Sequence, residues 1–159
     1  MDIRPARAGD FDVMWGMFKQ AIATQDALPF AGSFAVETFR AHWFQAQAPH
    51  VAVLEGRVVG MYKMGPNFPD LGAHVASATY VVDAATQGRG VGRALVEHSL
   101  ERARAEGFLA MQFNYVVSTN GPAVALYRKL GFAVVGTLPE TFRHGQRGLV
   151  DVFVMHRFL

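Results

Sequence analysis

Cysteine is absent from the 159-residue sequence, which excludes a disulfide scaffold, a thiolate zinc site and a cysteine nucleophile. A marked excess of charge is also missing, because 15 Lys and Arg stand against 13 Asp and Glu. This balance gives no indication of a nucleic-acid-binding protein. Residues 1–5 include an acidic side chain and lack the apolar run of a secretory signal. We therefore expect a cytoplasmic protein.

Long apolar segments are scarce as well. The one uncharged stretch of membrane-spanning length, residues 108–127, contains several polar side chains and an Asn-Gly-Pro break. We interpret it as a strand, a turn and the start of a helix, and expect no membrane partner. No Gly-x-Ser-x-Gly or His-Glu-x-x-His motif occurs, so neither a serine hydrolase nor a metal site is expected.

Apolar residues make up 51% of the chain and include 13 Phe, which is typical of a folded core rather than of disorder. The length favours one domain over residues 1–159. The patterns predict strands at 2–6, 50–54, 58–62, 73–82, 109–117, 132–136 and 149–158, and helices at 11–23, 35–47, 90–107 and 122–130. This order predicts an α/β fold, with a mixed sheet of about seven strands and about four helices on both faces.

The most informative segment is a glycine-rich turn between a predicted strand and a predicted helix. It reads Gln87, Gly88, Arg89, Gly90, Val91, Gly92, Arg93. Unpaired N–H groups at a helix start attract anions, glycines allow close approach, and guanidinium groups suit phosphate oxygens. The turn therefore predicts a diphosphate site, and a plain helix start with two solvated arginines is the alternative. The spacing fits neither a P-loop nor a dinucleotide fingerprint.

Two motifs resemble the GNAT superfamily of acetyl-CoA-dependent N-acetyltransferases. Gln87, Gly90 and Gly92 fill its Gln/Arg-x-x-Gly-x-Gly/Ala signature, and Asn120 precedes the string AVALYRKLGF at residues 123–132. The resemblance implies the GNAT fold, with a sheet splayed between the fourth and fifth strands. It also implies an N-acetyltransferase that uses acetyl-CoA as cosubstrate.

The same resemblance implies roles for individual residues. The pyrophosphate would lie on the N–H groups of residues 87–93, and the pantetheine arm would pair with Tyr80, Val81 and Val82 like an added strand. Asn120 and Ala123 would contact the cofactor, and Tyr127 would lie near the thioester sulfur. Tyr127 could donate a proton to the leaving thiolate, or it could be a core residue of an amphipathic helix.

The general base is the least defined part of the expected site. The predicted strand at 73–82 carries no carboxylate, although many members of the superfamily have a Glu there. His74 is the one group in it with a suitable reference pKa, and an edge-of-strand histidine is the alternative. A water chain past Ser77, Thr79 or Tyr80 is another, and Glu37 on the second predicted helix is a distant candidate.

The expected acceptor is a small amine, such as an amino acid, attacked directly in a ternary complex. Phe30, Phe34 and Arg143 are candidate acceptor-binding residues, with Arg143 suited to a carboxylate. A homodimer is a further expectation from the resemblance. Two alternatives remain open: an acyl-CoA sensor without turnover, and a general nucleotide-phosphate-binding domain.

Overall fold

A computed structural model describes residues 1–45 and 48–159. Its central feature is a seven-stranded sheet in the order β1-β2-β3-β4-β5-β7-β6. The strands are β1 (Asp2–Pro5), β2 (His50–Leu54), β3 (Arg57–Pro66), β4 (Val75–Val82), β5 (Ala110–Val117), β6 (Ala133–His144) and β7 (Gly148–Phe158). Neighbouring strands are antiparallel except for β4 and β5, which are parallel. The predicted mixed sheet is confirmed.

Four helices accompany the sheet in the described residues. They are α1 (Phe11–Ala23), α2 (Val36–Phe39, continued by a π-helical turn over Arg40–Gln45), α3 (Val91–Ala105) and α4 (Gly121–Lys129). The helix predicted over residues 35–47 is therefore α-helical for one turn only, and its last two residues lie outside the described part. Within that part, no helix is both long and apolar enough to cross a membrane.

The helices divide between the two faces of the sheet. Phe18 of α1 and Phe39 and Trp43 of the α2 segment pack on one face with Met61 and Val81 of the sheet. A second core on the other face joins α3 and α4 to the sheet, and includes Tyr62, Leu95, Met111, Val124 and Phe132. Side chains on a strand alternate between faces, so neighbouring residues of β3 and β4 serve different cores.

The sheet opens between its two parallel strands. β4 and β5 pair only through Val75 with Ala110 and Ala76 with Met111, whereas β4 pairs with β3 along its whole further length. From residue 77 onward, β4 and β5 therefore diverge. The predicted splay between the fourth and fifth strands is confirmed.

Two segments differ from the sequence prediction. β6 extends to His144, where the sequence predicted a strand ending at residue 136 and an irregular segment. It is the last strand of the sheet and pairs with β7 alone, with an irregular register between Leu138 and Phe142. An edge strand tolerates the proline and polar residues that argued against it. β4 begins at Val75, so His74 lies in the preceding turn and not on the strand.

Candidate active site

The open edge of β4 presents backbone groups that no strand covers. Asn67 N–H donates to Val75 C=O, and Asp83 N–H donates to Val59 C=O. Hydrogen-bonding direction alternates along an antiparallel pair, so the odd-numbered residues of β4 face β3. Ala78, Tyr80 and Val82 therefore direct their N–H and C=O groups into the gap.

This alternation separates the three strand residues expected to bind the cofactor arm. Tyr80 and Val82 have backbone groups at the open edge. Val81 faces β3 with its backbone, and its side chain is buried in the core beneath α1 and α2. Ala78, which the sequence analysis did not include, presents its backbone at the same edge and could have been found from the two-residue period of the strand.

A cavity of about 490 Å³ lies along this gap. Its walls come from the end of α1 and the following loop, from β4 and β5, and from the start of α4. Asp26 is the only charged residue that lines it within the described part of the chain. The loop that carries Asp26 is held at Gln25, whose carbonyl accepts a hydrogen bond from Gly145 N–H in the turn between β6 and β7. The cavity is thus enclosed by segments far apart in sequence.

The glycine-rich turn stands at one end of the cavity, which Gln87 lines. Gly88 and Gly90 have φ angles of +80° and +78°, a conformation that costs residues with a side chain about 1–2 kcal/mol. Gly90 is the N-cap of α3, so the N–H groups of the next three residues, 91–93, have no acceptor inside the helix. These groups and the helix dipole suit this helix start to an anion, and the diphosphate site on residues 87–93 stays a prediction.

Both arginines of the turn are paired with glutamates. Arg89 contacts Glu55 at 3.0 Å, and Arg93 contacts Glu97 at 2.8 Å one helical turn later. All four side chains are largely exposed. Exposed pairs contribute little to stability, so either guanidinium can exchange its glutamate for a phosphate at small cost.

The start of α4 brings three of the predicted residues to the cavity wall, namely Asn120, Ala123 and Tyr127. The Asn120 carboxamide oxygen accepts a hydrogen bond from Ala123 N–H at 3.4 Å and caps the helix. This arrangement leaves the Asn120 amide nitrogen available to a ligand.

Tyr127 is surrounded by aromatic rings. The centroids of Phe113 and Phe132 lie 4.6 and 5.9 Å from its own, and that of Tyr80 lies 6.4 Å away. Burial raises the pKa of Tyr127 to about 12, so its hydroxyl keeps its proton at neutral pH. Tyr80 differs in that its hydroxyl is hydrogen-bonded to Ser99 at 2.7 Å. Among the described residues, Tyr127 is the cavity tyrosine whose hydroxyl has no such partner.

Other predicted residues are not brought together. Phe30 lines the cavity, but Phe34 does not and packs against Phe18 and Phe30 at 5.0 Å. Arg143 on β6 and His74 are exposed and line no part of it. The structure therefore gathers the cofactor-side residues but neither the predicted base nor the predicted carboxylate-binding arginine.

A split parallel strand pair, a helix start with unpaired N–H groups and a half-buried tyrosine whose hydroxyl has no partner among the described residues together define a class of protein. They indicate an α/β protein that holds an extended, phosphate-bearing donor in the gap of its sheet. The model of the acetyltransferase (GNAT) family matches residues 20–132, and the chain belongs to that family. The resemblance found in the sequence and the predicted fold are confirmed.

Individual proteins agree with this assignment. A GCN5-related N-acetyltransferase structure from Kribbella flavida is 41% identical, with a TM-score of 0.96 over 99% of this chain and 97% of that one. A mycothiol acetyltransferase from Saccharomonospora viridis is 41% identical over 107 residues, which are 64% of this chain and 35% of that protein. An L-methionine sulfoximine/L-methionine sulfone acetyltransferase from Pseudomonas paraeruginosa is 29% identical over 87% of this chain and 83% of that protein. The chain thus spans about a third of the mycothiol enzyme's length.

The comparisons do not test the remaining expectations from the sequence. A single domain over residues 1–159, a homodimer and a cytoplasmic location stay predictions. The roles of the individual site residues also stay predictions, and they enter the proposals below.

Proposed function

We propose that this chain transfers an acetyl group from acetyl-CoA to the amine of a small molecule. The observation that carries the proposal is the open edge of β4. It leads from the anion site at the start of α3, past the free backbone groups of Tyr80 and Val82, to the Tyr127 hydroxyl. An extended thioester can pair along this edge as an added strand, with its pyrophosphate on residues 87–93 and its arm beside Asn120 and Ala123.

The reaction balances with the groups at hand. The neutral acceptor amine attacks the thioester carbonyl carbon, the carbon–sulfur bond breaks, and the products are an N-acetylated amine and the free thiol. A backbone N–H at the open edge stabilises the negative charge that develops on the carbonyl oxygen. The Tyr127 hydroxyl gives its proton to the leaving sulfur and recovers one from solvent.

The attacking nitrogen must also lose a proton as it becomes an amide, and no carboxylate is placed to accept that proton. β4 offers none, and His74 is outside the cavity. Ser77 and Thr79 line the cavity wall, and water held beside their hydroxyls accepts the proton. Because an alkyl ammonium has a pKa near 10, such an enzyme depends on the small fraction of acceptor that is already neutral.

The test combines binding and turnover. Acetyl-CoA at about 1,000 times its Kd should raise the free energy of unfolding by roughly 4 kcal/mol, whereas ATP and NAD should not. Thiol release should then be measured with a panel of small amines. Acetyl-CoA binding without thiol release from any amine would indicate an acyl-CoA sensor, and equal stabilisation by every nucleotide would indicate a general phosphate site.

A further inference from the structure

A smaller pocket adjoins the main cavity. It has a volume of about 160 Å³, and its lining includes Lys63 and Asn67 from β3 and its end, and Ser77 and Thr79 from β4. Residues 77–79 line the main cavity too, so the two spaces meet along this part of β4. Met61 on β3 and Val81 on β4 face α1 and α2, and Lys63, Ser77 and Thr79 share their face of the sheet because side chains alternate along each strand. The smaller pocket therefore opens on the opposite face of the sheet from α3 and α4.

Lys63 is a half-buried cation in this pocket without an acidic partner. Its Nζ donates to the His42 carbonyl at 3.3 Å and lies 5.5 Å from the centroid of the Trp43 ring. The four ion pairs recorded among the described residues do not include it. A partly desolvated ammonium that has no anion beside it is unfavourable, so the pocket is suited to accept one.

The other lysines show that this placement is particular to Lys63. The sequence contains only Lys19, Lys63 and Lys129. Lys19 also lies over a tryptophan, with its Nζ 5.4 Å from the Trp15 centroid, but it is exposed and lines neither space. Burial lowers the pKa of Lys63. An anion entering the pocket would restore the charge that burial disfavours.

The main cavity offers no cation that could bind an acid group of the acceptor, as far as its described lining shows. Its only charged lining residue in the described chain is Asp26, an anion. Arg143, which the sequence suggested as a carboxylate ligand, lines neither space. Among the described residues that line the two spaces, Lys63 is therefore the one cation available to a negatively charged group on an acceptor beside residues 77–79.

We propose that the smaller pocket binds a carboxylate carried by the acceptor, with the Lys63 ammonium as its counter-ion and the Ser77 and Thr79 hydroxyls as further donors. The acceptors of this chain are then amino acids or other amines with an acid group close to the amine. The proposal rests on the proposed function, since it names the substrate class for the same site.

The kinetic test pairs each of several L-amino acids with its carboxamide. Lys63→Met keeps the length of the side chain and removes its charge. It should lower kcat/KM for the acids roughly ten- to hundredfold, as expected for the loss of a charged hydrogen bond, and leave the amides unchanged. Lys63→Arg should recover part of the loss, and Lys19→Met is the matched control over the other tryptophan. Equal losses for acids and amides, or amides preferred by the wild type, would overturn the proposal.

A second test needs no turnover. Reductive methylation with ¹³C-formaldehyde labels the three lysines and the N-terminal amine, and the Lys63 and Lys19 NMR signals can be assigned with Lys63→Met and Lys19→Met. With CoA present, N-acetylglycine should shift the Lys63 signal alone, and N-acetylglycinamide should not. An unmoved Lys63 signal overturns the carboxylate pocket even if amines are acetylated. A shifted signal without thiol release from any amine upholds the pocket and overturns the proposed function.

Discussion

Replacing Tyr127 by phenylalanine removes one hydroxyl that has no partner in the described protein. The ring contacts with Phe113 and Phe132 remain, so the free energy of unfolding and the acetyl-CoA Kd should hardly change. The leaving sulfur, however, loses its proton donor. A general acid contributes about 10²–10⁴-fold. We therefore expect kcat to fall by at least about a hundredfold, or roughly 3 kcal/mol of transition-state stabilisation.

The assay is steady-state thiol release with the best acceptor, alongside a direct measurement of acetyl-CoA affinity. Tyr115→Phe is the matched control, because Tyr115 lines the same cavity but its hydroxyl donates a hydrogen bond to the Thr141 carbonyl at 2.8 Å. Its kcat should stay close to that of the wild type. A Tyr127→Phe variant with the kcat of the control would remove Tyr127 from the mechanism.

The pKa of Tyr127 adds a pH condition to this prediction. With a pKa of about 12, the acid form persists throughout the usual assay range and is lost only as the pH approaches that value. Desolvation also raises the pKa of a thiol whose sulfur lies beside Tyr127. The pKa of the proton donor and that of the leaving sulfur therefore shift in the same direction. A fall in kcat centred near pH 8 in the wild type, absent from the Tyr127→Phe variant, would contradict this reasoning.

Three further predictions concern the turn, the base and the histidines. Gly90→Val should abolish the stabilisation by acetyl-CoA in thermal unfolding, because a β-branched residue strains a φ of +78°; a retained shift would place the anion site elsewhere. His74→Gln should leave kcat/KM unchanged at every pH, because the exposed His74 lines no part of the cavity; a kcat/KM lowered by the substitution would instead make His74 the base. Burial lowers the pKa of His50 and of His98 from 6.5. The unfolded chain therefore binds more protons, and the free energy of unfolding should fall as the pH drops through 6.5, by at most about 1.4 kcal/mol per unit for each. In urea titrations at several pH values, the free energy of unfolding should fall less steeply with decreasing pH in His50→Gln than in the wild type. An equal fall in both would show that His50 does not contribute to this pH dependence.

The cofactor side of the site was predictable because it depends on local backbone chemistry. A glycine-rich turn before a helix fixes the position of unpaired N–H groups. The resemblance gave Tyr80, Val81 and Val82 together on the strand before it, and only the pairing with β3 separates Val81 from the two residues at the open edge. The second motif likewise brought Asn120 and Tyr127 to the right helix.

The acceptor side was harder to predict because its residues converge from distant segments. Lys63 gives no motif, and its half-buried position depends on Trp43 and His42, about 20 residues earlier in the chain. The length of β6 was underestimated because polar residues and a proline are unfavourable in an internal strand but acceptable at a sheet edge. In the α2 segment, aromatic spacing predicts a helix but does not distinguish an α-helical turn from a π-helical one.

The gap between β4 and β5 also bears on how a chain of this kind can change its specificity over evolution. The groups proposed for the donor, residues 87–93 and Tyr127, belong to α3 and α4 and the segments that lead into them. Lys63 and the α1 end of the cavity belong to the opposite face. Substitutions that alter the preferred amine can therefore accumulate on one face of the sheet without changing the residues proposed to bind the acetyl donor on the other face. Such a division lets one donor site be inherited unchanged while acceptors diverge.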